Sequence, residues 1–306
     1  ICKLTLKRRT FINKTAASTA LMTVGGLALC CAEHKSIKIS ILHTNDVHSH
    51  IFPFGPNQGK KSLKGGIARR ASLIKKLRAE NPNTLLLDAG DIFQGTPYFN
   101  YFGGELEFKL MSMLGYDAAT IGNHDFDNGI EGLYTQLPNA KFNFLSANYD
   151  FKNTLMQGLV SPYKTFEKSG LKIGVFGLGI ELQGLVSADA YKETKYLDPI
   201  EMAQDMSRIL KTEEACDLVI CLSHLGYSYE NPHKISDLKL AKSTENIDLI
   251  IGGHTHTFLN EPKEVINSAG KTVLVNQVGC YGLFLGKVDF YFNTSSNRVK
   301  SQLLSI

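Results

Sequence analysis

Polar side chains that can bind metal ions recur at five places along this sequence of 306 residues. Each place follows directly after a run of apolar residues, which is typical of a buried β-strand. Five of the nine histidines in the chain lie at these strand ends. In chain order, the clusters are Asp46 with His48, Asp91, Asn123 with His124, His224, and His254 with His256.

The residue types in these clusters favour metal chemistry. Carboxylate, imidazole and amide oxygen donors suit Mn, Fe, Zn or Co, and no cysteine thiolate is among them. They are too many for one tetrahedral zinc ion, and they fit two ions about 3.5–4 Å apart that share one carboxylate. Such a pair binds a phosphate oxygen and lowers the pKa of a bound water. The clusters therefore predict a two-metal hydrolytic site.

Each cluster taken alone also has a structural explanation. Asp46-Val47-His48 and Gly122-Asn123-His124-Asp125 are both typical of polar turns, and His224 is typical of a histidine at the end of a strand. The same placement at five strand ends favours one shared site over five unrelated turns.

Alternating strands and helices are predicted to bring the clusters together. In an α/β sheet, loops at the carboxyl ends of strands converge on one crevice, so clusters about 200 residues apart can meet. We predict helices over residues 67–78, 106–114, 130–137 and 199–212. We predict strands over residues 37–42, 84–87, 118–121, 142–147, 172–178, 218–223, 247–251, 262–266, 272–277 and 283–292.

Composition and charge exclude several functional classes. Hydrophobic residues make up 43% and charged residues 20% of the chain, as in globular proteins. The net charge is +4, but residues 1–31 carry five basic and no acidic residues, so the remainder carries −1. A nearly neutral body lacks the basic surface that nucleic-acid binding requires. We therefore expect no nucleic-acid partner, and a nuclease is the weaker hypothesis.

Residues 1–32 have the three parts of an export signal. A basic stretch that contains Arg8 and Arg9 precedes an apolar run, and small residues close the segment. The paired arginines resemble a twin-arginine signal. We expect an exported protein, periplasmic or associated with the cell envelope. An ordinary secretory signal and a lipid anchor on Cys30 or Cys31 are the open alternatives.

Five sequence blocks, in this order, are similar to those of calcineurin-like metallophosphatases. They are Asp46-Val47-His48, Gly90-Asp91, Gly122-Asn123-His124-Asp125, His224 and Gly253-His254-Thr255-His256. Their flanks, such as Gln94-Gly95-Thr96-Pro97-Tyr98-Phe99, resemble the branch of 5′-nucleotidases, UDP-sugar hydrolases and 2′,3′-cyclic phosphodiesterases. The resemblance covers roughly residues 37–295.

The resemblance implies an α/β fold, a four-layer αββα sandwich of two mixed sheets, in a single catalytic domain over residues 33–306. It implies a phosphoester hydrolase that acts on nucleotides or related small molecules through a metal-activated water. The implied cofactors are two divalent ions, which Mn, Zn, Fe or Co would satisfy.

The resemblance also implies which residues bind each ion. The first ion is assigned to Asp46, His48, Asp91 and His256. The second is assigned to Asp91, Asn123, His224 and His254, so that Asp91 bridges the two.

His124 is expected to act on the substrate and not on a metal. The resemblance implies that it stabilises the transition state or protonates the leaving oxygen, with Asp127 orienting its ring. Asn123 and His124 are the residues expected to contact the phosphate. A plain turn is the alternative explanation for Asp127, and His43 is expected to support a ligand loop.

One departure from the family concerns specificity. Full-length 5′-nucleotidases carry a C-terminal domain that binds the nucleoside, and we expect that domain to be absent from these 306 residues. Two interpretations follow. Either a separate partner chain supplies the nucleoside pocket, or the domain acts alone on less discriminated phosphoesters. A catalytically weak, metal-binding scaffold is the alternative from another functional class.

Overall fold

Fourteen strands and seven α-helices are found in a computed structural model of the chain, which describes residues 36–293 and 298–306. The export signal predicted over residues 1–32 lies outside the described residues. The strands are β1 Ile37–Thr44, β2 Thr84–Asp88, β3 Ala118–Ala119, β4 Asn143–Phe144, β5 Tyr149–Asp150, β6 Tyr163–Lys168, β7 Leu171–Leu178, β8 Lys195–Tyr196, β9 Leu218–Ser223, β10 Leu249–Gly252, β11 Lys263–Ile266, β12 Thr272–Asn276, β13 Phe284–Phe292 and β14 Arg298–Ser305. The helices are α1 Ile67–Glu80, α2 Pro97–Phe102, α3 Glu105–Leu114, α4 Gly129–Gln136, α5 Ala188–Tyr191, α6 Pro199–Arg208 and α7 Asp237–Ser243.

Most of these strands form two six-stranded mixed sheets. The first sheet has the order β14-β13-β1-β2-β3-β4, and β1 to β4 run parallel to one another. The second has the order β11-β12-β10-β9-β7-β6, and β12, β10, β9 and β7 are parallel. Antiparallel strands flank the parallel centre of each sheet. The parallel strands therefore direct their carboxyl ends to one edge of each sheet.

Successive side chains of the central strands point to opposite faces of each sheet, and those on the inner faces fill the space between the two sheets. In β1, Ile39 and Ile41 lie in the core that the sheets share, whereas Leu42 lies in the core beneath the outer helices. In β9, Leu222 belongs to the shared core and Cys221 to the outer one. Both faces of these strands are buried, which explains why their sequences are almost continuously apolar.

Helices cover the outer face of each sheet. Phe108 of α3 and Leu133 of α4 pack in the outer core of the first sheet. Ala203 of α6 and Leu240 of α7 pack on the second sheet. Each large side chain among them contributes about 1.5–3 kcal/mol when fully buried. The layers thus follow the order αββα, which confirms the four-layer sandwich of two mixed sheets that the resemblance implied.

Several elements differ from the sequence prediction. The edge strands β6 and β14 were missed because their sequences contain few apolar residues and do not alternate them regularly with polar ones. The short helices α2 and α7 were missed as well. The helix predicted over residues 199–212 ends as an α-helix at Arg208 and continues as a π-helical turn over Ile209–Glu213.

Within residues 36–293 and 298–306, none of the helices has the length and apolar character needed to cross a bilayer.

Candidate metal centre

The five predicted clusters meet at the carboxyl ends of the parallel strands. Loops after β1, β2 and β3 of the first sheet carry Asp46 with His48, Asp91, and Asn123 with His124. Loops after β9 and β10 of the second sheet carry His224, and His254 with His256. The centre therefore lies where the two sheets face each other, and the sequence prediction of a shared site is consistent with the fold.

Most of the predicted ligands sit in a strained backbone conformation. Asparagine, aspartate and histidine visit the left-handed region more readily than other non-glycine residues, although the conformation still costs free energy. Strain of this kind persists where the surrounding structure holds the residue for a function. The left-handed residues, with their φ angles, are Asp46 (+49°), His48 (+49°), Asp91 (+56°), His254 (+68°) and His256 (+51°).

Asp46, His48 and His256 form the first group of converging ligand atoms. The Nε2 atoms of His48 and His256 are 3.0 Å apart, and Asp46 Oδ1 lies 3.4 Å from His256 Nε2. His48 donates its Nδ1–H to the Phe93 carbonyl at 3.2 Å. Neutral His48 therefore turns an Nε2 lone pair towards the group.

Asp91, His224 and His254 form the second group, with Asn123 beside it. The Nε2 atom of His224 is 3.0 Å from Asp91 Oδ2, and His254 Nδ1 is 2.8 Å from Asn123 Oδ1. His224 donates its Nδ1–H to the Ala89 carbonyl at 2.6 Å. That bond fixes the tautomer and leaves the Nε2 lone pair facing the carboxylate, as in metal-binding histidines.

Asp91 lies between the two groups. Its Oδ2 is 3.0 Å from His224 Nε2 of the second group and 3.8 Å from His48 Nε2 of the first. Its other oxygen, Oδ1, accepts the backbone N–H of His124 at 2.8 Å. One carboxylate oxygen is thus held in place by the backbone, while the second faces both groups.

The electrostatics of both groups favour a bound cation. Burial disfavours charge on His224, yet the Asp91 carboxylate raises the pKa of His224 to about 10. Hydrogen bonding to Asp46 raises the pKa of His256 to about 10 as well. In the neutral tautomer, His224 Nε2 and Asp91 Oδ2 are two buried acceptors in contact. They repel unless a positive charge lies between them, so the donor set fits metal ions.

Asp125 holds two of the ligand loops, a role that sequence reasoning missed. This fully buried carboxylate accepts backbone N–H bonds from Asp91, Ile92, Phe93 and Gly122 at 2.8–3.1 Å. Burial raises the pKa of Asp125 to about 7, and the N–H donors oppose that rise. The motif contained this residue, but nothing in its spacing distinguished it from a turn aspartate.

Close packing explains the glycine before Asn123. A β-carbon at Gly122 would lie 2.2 Å from Asp91 Oδ1, which is too close for any side chain. Glycine therefore lets the loop after β3 approach the Asp91 carboxylate.

Asn45 holds the loop of Asp46, and it was also missed. Its Nδ2 donates to Asp46 Oδ2 and to the Gly279 carbonyl, both at 2.6 Å. Its Oδ1 accepts the Val278 N–H at 3.0 Å. The amide thus fixes the Asp46 carboxylate against the chain that follows β12.

His43, which was expected from the sequence to support a ligand loop, forms a hydrogen bond between the two sheets. It is fully buried, and Asn276 of β12 donates an N–H to its Nε2 at 2.9 Å. Burial lowers the pKa of His43 to about 3, so the ring is neutral. Its described hydrogen bond joins the two sheets and does not reach a ligand side chain.

His124 and Asp127 form a pair on the open side of the centre. His124 Nδ1 is 2.8 Å from Asp127 Oδ2, and their side chains are 38% and 28% exposed. The His124 ring centroid is 5.3 Å from that of His48. The hydrogen bond to Asp127 raises the pKa of His124. The free Nε2 edge of this imidazole can therefore reach a substrate bound at the centre.

Comparison with known families agrees with this geometry. A family model described as calcineurin-like phosphoesterase matches residues 39–258, which include every predicted metal ligand. The chain belongs to this family. It spans about half the length of the curated relatives that it matches.

Three proteins illustrate the similarity. A snake venom 5′-nucleotidase of Gloydius brevicauda is 35% identical over 305 residues, which cover 92% of this chain and 50% of the venom protein. The crystal structure of a 5′-nucleotidase precursor from Thermus thermophilus has a TM-score of 0.78 at 33% identity, covering 88% of this chain and 55% of that one. The calcineurin-like phosphoesterase YfkN of Bacillus subtilis has a TM-score of 0.70 at 26% identity, covering 88% and 91%.

Proposed function

We propose that this domain hydrolyses phosphoesters at a two-metal centre, in the manner of 5′-nucleotidases. The observation that carries the proposal is the position of Asp91, whose Oδ2 faces His224 of one ligand group and His48 of the other. A shared carboxylate between two ligand sets is the arrangement that two-metal phosphatases use. Family membership over residues 39–258 supports the same reaction class.

In the proposed centre, each ion has three ligands of its own and shares Asp91 with the other. Two bound divalent ions lower the pKa of a coordinated water and offset negative charge on the phosphate. Asp46, His48, Asp91 and His256 bind the first ion. Asp91, Asn123, His224 and His254 bind the second.

His124 and Asn123 act on the substrate. His124 hydrogen-bonds through Nδ1 to Asp127, so Asp127 orients the ring and its Nε2–H can protonate the leaving oxygen. That Nε2–H also offsets charge on the phosphoryl oxygens as the bond breaks. Asn123 follows β3 and lies beside the second ligand group. From this position its side-chain amide can contact the phosphate.

A nucleotide is the substrate class that we propose. The venom relative and the Thermus structure are both named as 5′-nucleotidases, which supports this choice. Because the chain matches only about half of such relatives, the source of the nucleoside pocket is part of the proposal. A partner chain that supplies it is one version, and unaided action on many phosphoesters is the other.

A scaffold that binds metal without turnover is the competing function. A degenerate scaffold would be expected to have lost ligands, whereas all seven proposed ligand positions carry a donor side chain. The His124–Asp127 pair also has no role in a metal-binding scaffold, because neither residue belongs to a ligand group.

A substrate panel tests the proposed reaction. With Mn²⁺ present, we expect the domain to hydrolyse p-nitrophenyl phosphate, AMP, 2′,3′-cyclic AMP and UDP-glucose, with kcat/KM measured for each. If the domain acts unaided on many phosphoesters, we expect kcat/KM for AMP and p-nitrophenyl phosphate to differ by less than about tenfold, or about 1.4 kcal/mol. Strong unaided preference for one nucleotide would refute the partner-chain version. Absence of turnover on every compound would favour the scaffold.

A further inference from the structure

A cation and three rings lie at one margin of the first ligand group. The ammonium of Lys61 lies 4.2 Å from the centroid of the Tyr281 ring and 5.4 Å from that of Phe54. His50 lies against the same rings, 4.4 Å from Tyr281 and 5.0 Å from Phe54 between centroids. We call these four side chains, Lys61, Tyr281, Phe54 and His50, the basic rim.

The basic rim adjoins the proposed metal ligands directly. The Tyr281 ring centroid is 5.8 Å from that of His256 and 5.9 Å from that of His48. Its backbone is fixed to the centre, because the Tyr281 N–H donates to the Asp46 carbonyl at 2.7 Å. Since the Tyr281 ring is 4.2 Å from the Lys61 ammonium and 5.8 Å from the His256 ring, the ammonium lies at most about 10 Å from the His256 ring.

Lys61 is positioned by its contacts and still has donors to offer. Within residues 36–293 and 298–306, its ammonium forms no ion pair with a carboxylate. A cation over an aromatic ring keeps its N–H groups available, and contact with the ring contributes only about 0.5–1 kcal/mol at an exposed site. The ammonium can therefore bind an anion without breaking another bond.

A solvated cation–π contact is the simpler explanation of this arrangement. Two observations favour a binding role. Lys61 is only half-buried and stands beside the centre, whereas its neighbour Lys60 is exposed and contacts no aromatic ring among the described residues. The rim also adds positive charge next to a centre where the substrate phosphate already binds. A substrate with a second phosphate would have to place the negative charge of that phosphate near the centre as well.

We propose that Lys61, held over Tyr281, forms a second anion subsite that binds the second phosphate of organic diphosphates. The subsite rests on the proposed function, because it presupposes that the first phosphate binds at the metal centre. It raises affinity for nucleoside diphosphates relative to monophosphates, and Tyr281 acts by fixing the position of the ammonium.

Paired inhibitors test the subsite without depending on nucleoside contacts. ADP and AMP share adenosine and differ by one phosphate, so each is measured as an inhibitor of p-nitrophenyl phosphate hydrolysis at equal free Mn²⁺. In Lys61→Met we expect the inhibition constant for ADP to rise about tenfold, the size of one charge-assisted hydrogen bond. The constant for AMP and the kcat/KM for p-nitrophenyl phosphate should change less than about twofold to threefold.

Lys60→Met is the matched control, since it removes an adjacent exposed lysine, and both constants should stay at the wild-type value. Equal rises for ADP and AMP in Lys61→Met, or no change for ADP, would overturn the subsite. If the wild type fails to hydrolyse p-nitrophenyl phosphate, the proposed function fails separately. The subsite is then decided by calorimetric binding of ADP in Mn²⁺, which must weaken about tenfold in Lys61→Met and not in Lys60→Met.

Discussion

An Asp91→Asn substitution is expected to lower kcat/KM for p-nitrophenyl phosphate at least about a thousandfold. The variant keeps an acceptor at Oδ1 for the His124 N–H, so the loop should keep its path. It replaces Oδ2, which faces His224 and His48, with an NH₂ group that cannot bridge two ions. A metal contributes several kcal/mol to transition-state stabilisation, and each 1.36 kcal/mol is about tenfold in rate.

Metal analysis and unfolding measurements accompany the kinetics. We expect fewer than two bound ions per chain in Asp91→Asn, with a thermal unfolding profile still cooperative in the presence of Mn²⁺. Asp189→Asn, at an exposed aspartate of α5, is the control and should retain full turnover and metal content. Substantial turnover in Asp91→Asn with two ions bound would show that Asp91 does not bridge.

His124→Asn is expected to lower the rate without removing metal. General acid catalysis contributes typically about 10²–10⁴-fold, and asparagine cannot supply the proton. The loss should depend on the leaving group. It should reach this range with AMP, whose alkoxide leaving group needs a proton, and be much smaller with p-nitrophenyl phosphate, whose phenolate leaves without one.

The measurement compares kcat for the two substrates in the wild type and in His124→Asn, with bound metal counted in both. His233→Asn removes an exposed histidine and serves as the control. An equal loss for both substrates would mean that His124 stabilises charge in the transition state and does not protonate the leaving oxygen. Loss of bound metal would mean that it supports a ligand and does not act on the substrate.

The candidate site was largely accessible to sequence reasoning because its residues break a simple pattern. A polar His or Asp directly after an almost continuous apolar strand is conspicuous, and parallel strands deliver such residues to one edge. His224 follows β9 and His254 follows β10 in this way. Their grouping into two ligand sets came from the family resemblance and could not be read from spacing, because residues of both sheets contribute.

Supporting residues were hidden from the sequence for a different reason. Asp125 and Asn45 accept hydrogen bonds from backbone N–H groups of loops distant in sequence. Every residue except proline has a backbone N–H, so the sequence does not show which residues are the partners. Lys61 lies in a polar loop where a lysine is unremarkable, and only its approach to Tyr281 singles it out. The hydrogen-bond partner of His43 was hidden as well, because Asn276 comes from the other sheet.

The fold was predicted best where both faces of an element are buried. The strands β1, β2, β7 and β9 were found close to their true bounds, because their apolar runs leave no competing interpretation. Two of the four edge strands, β6 and β14, were missed, since a strand such as β14 owes its existence to pairing with β13 and not to its own pattern.

The most direct test of the central claim is a metal titration of the purified domain with activity followed throughout. After removal of metal with a chelator, turnover of p-nitrophenyl phosphate should be lost. It should return as Mn²⁺ is added, reaching its maximum when elemental analysis counts two ions per chain. Full turnover by the metal-free domain, or maximal turnover with only one ion bound, would contradict a two-metal centre.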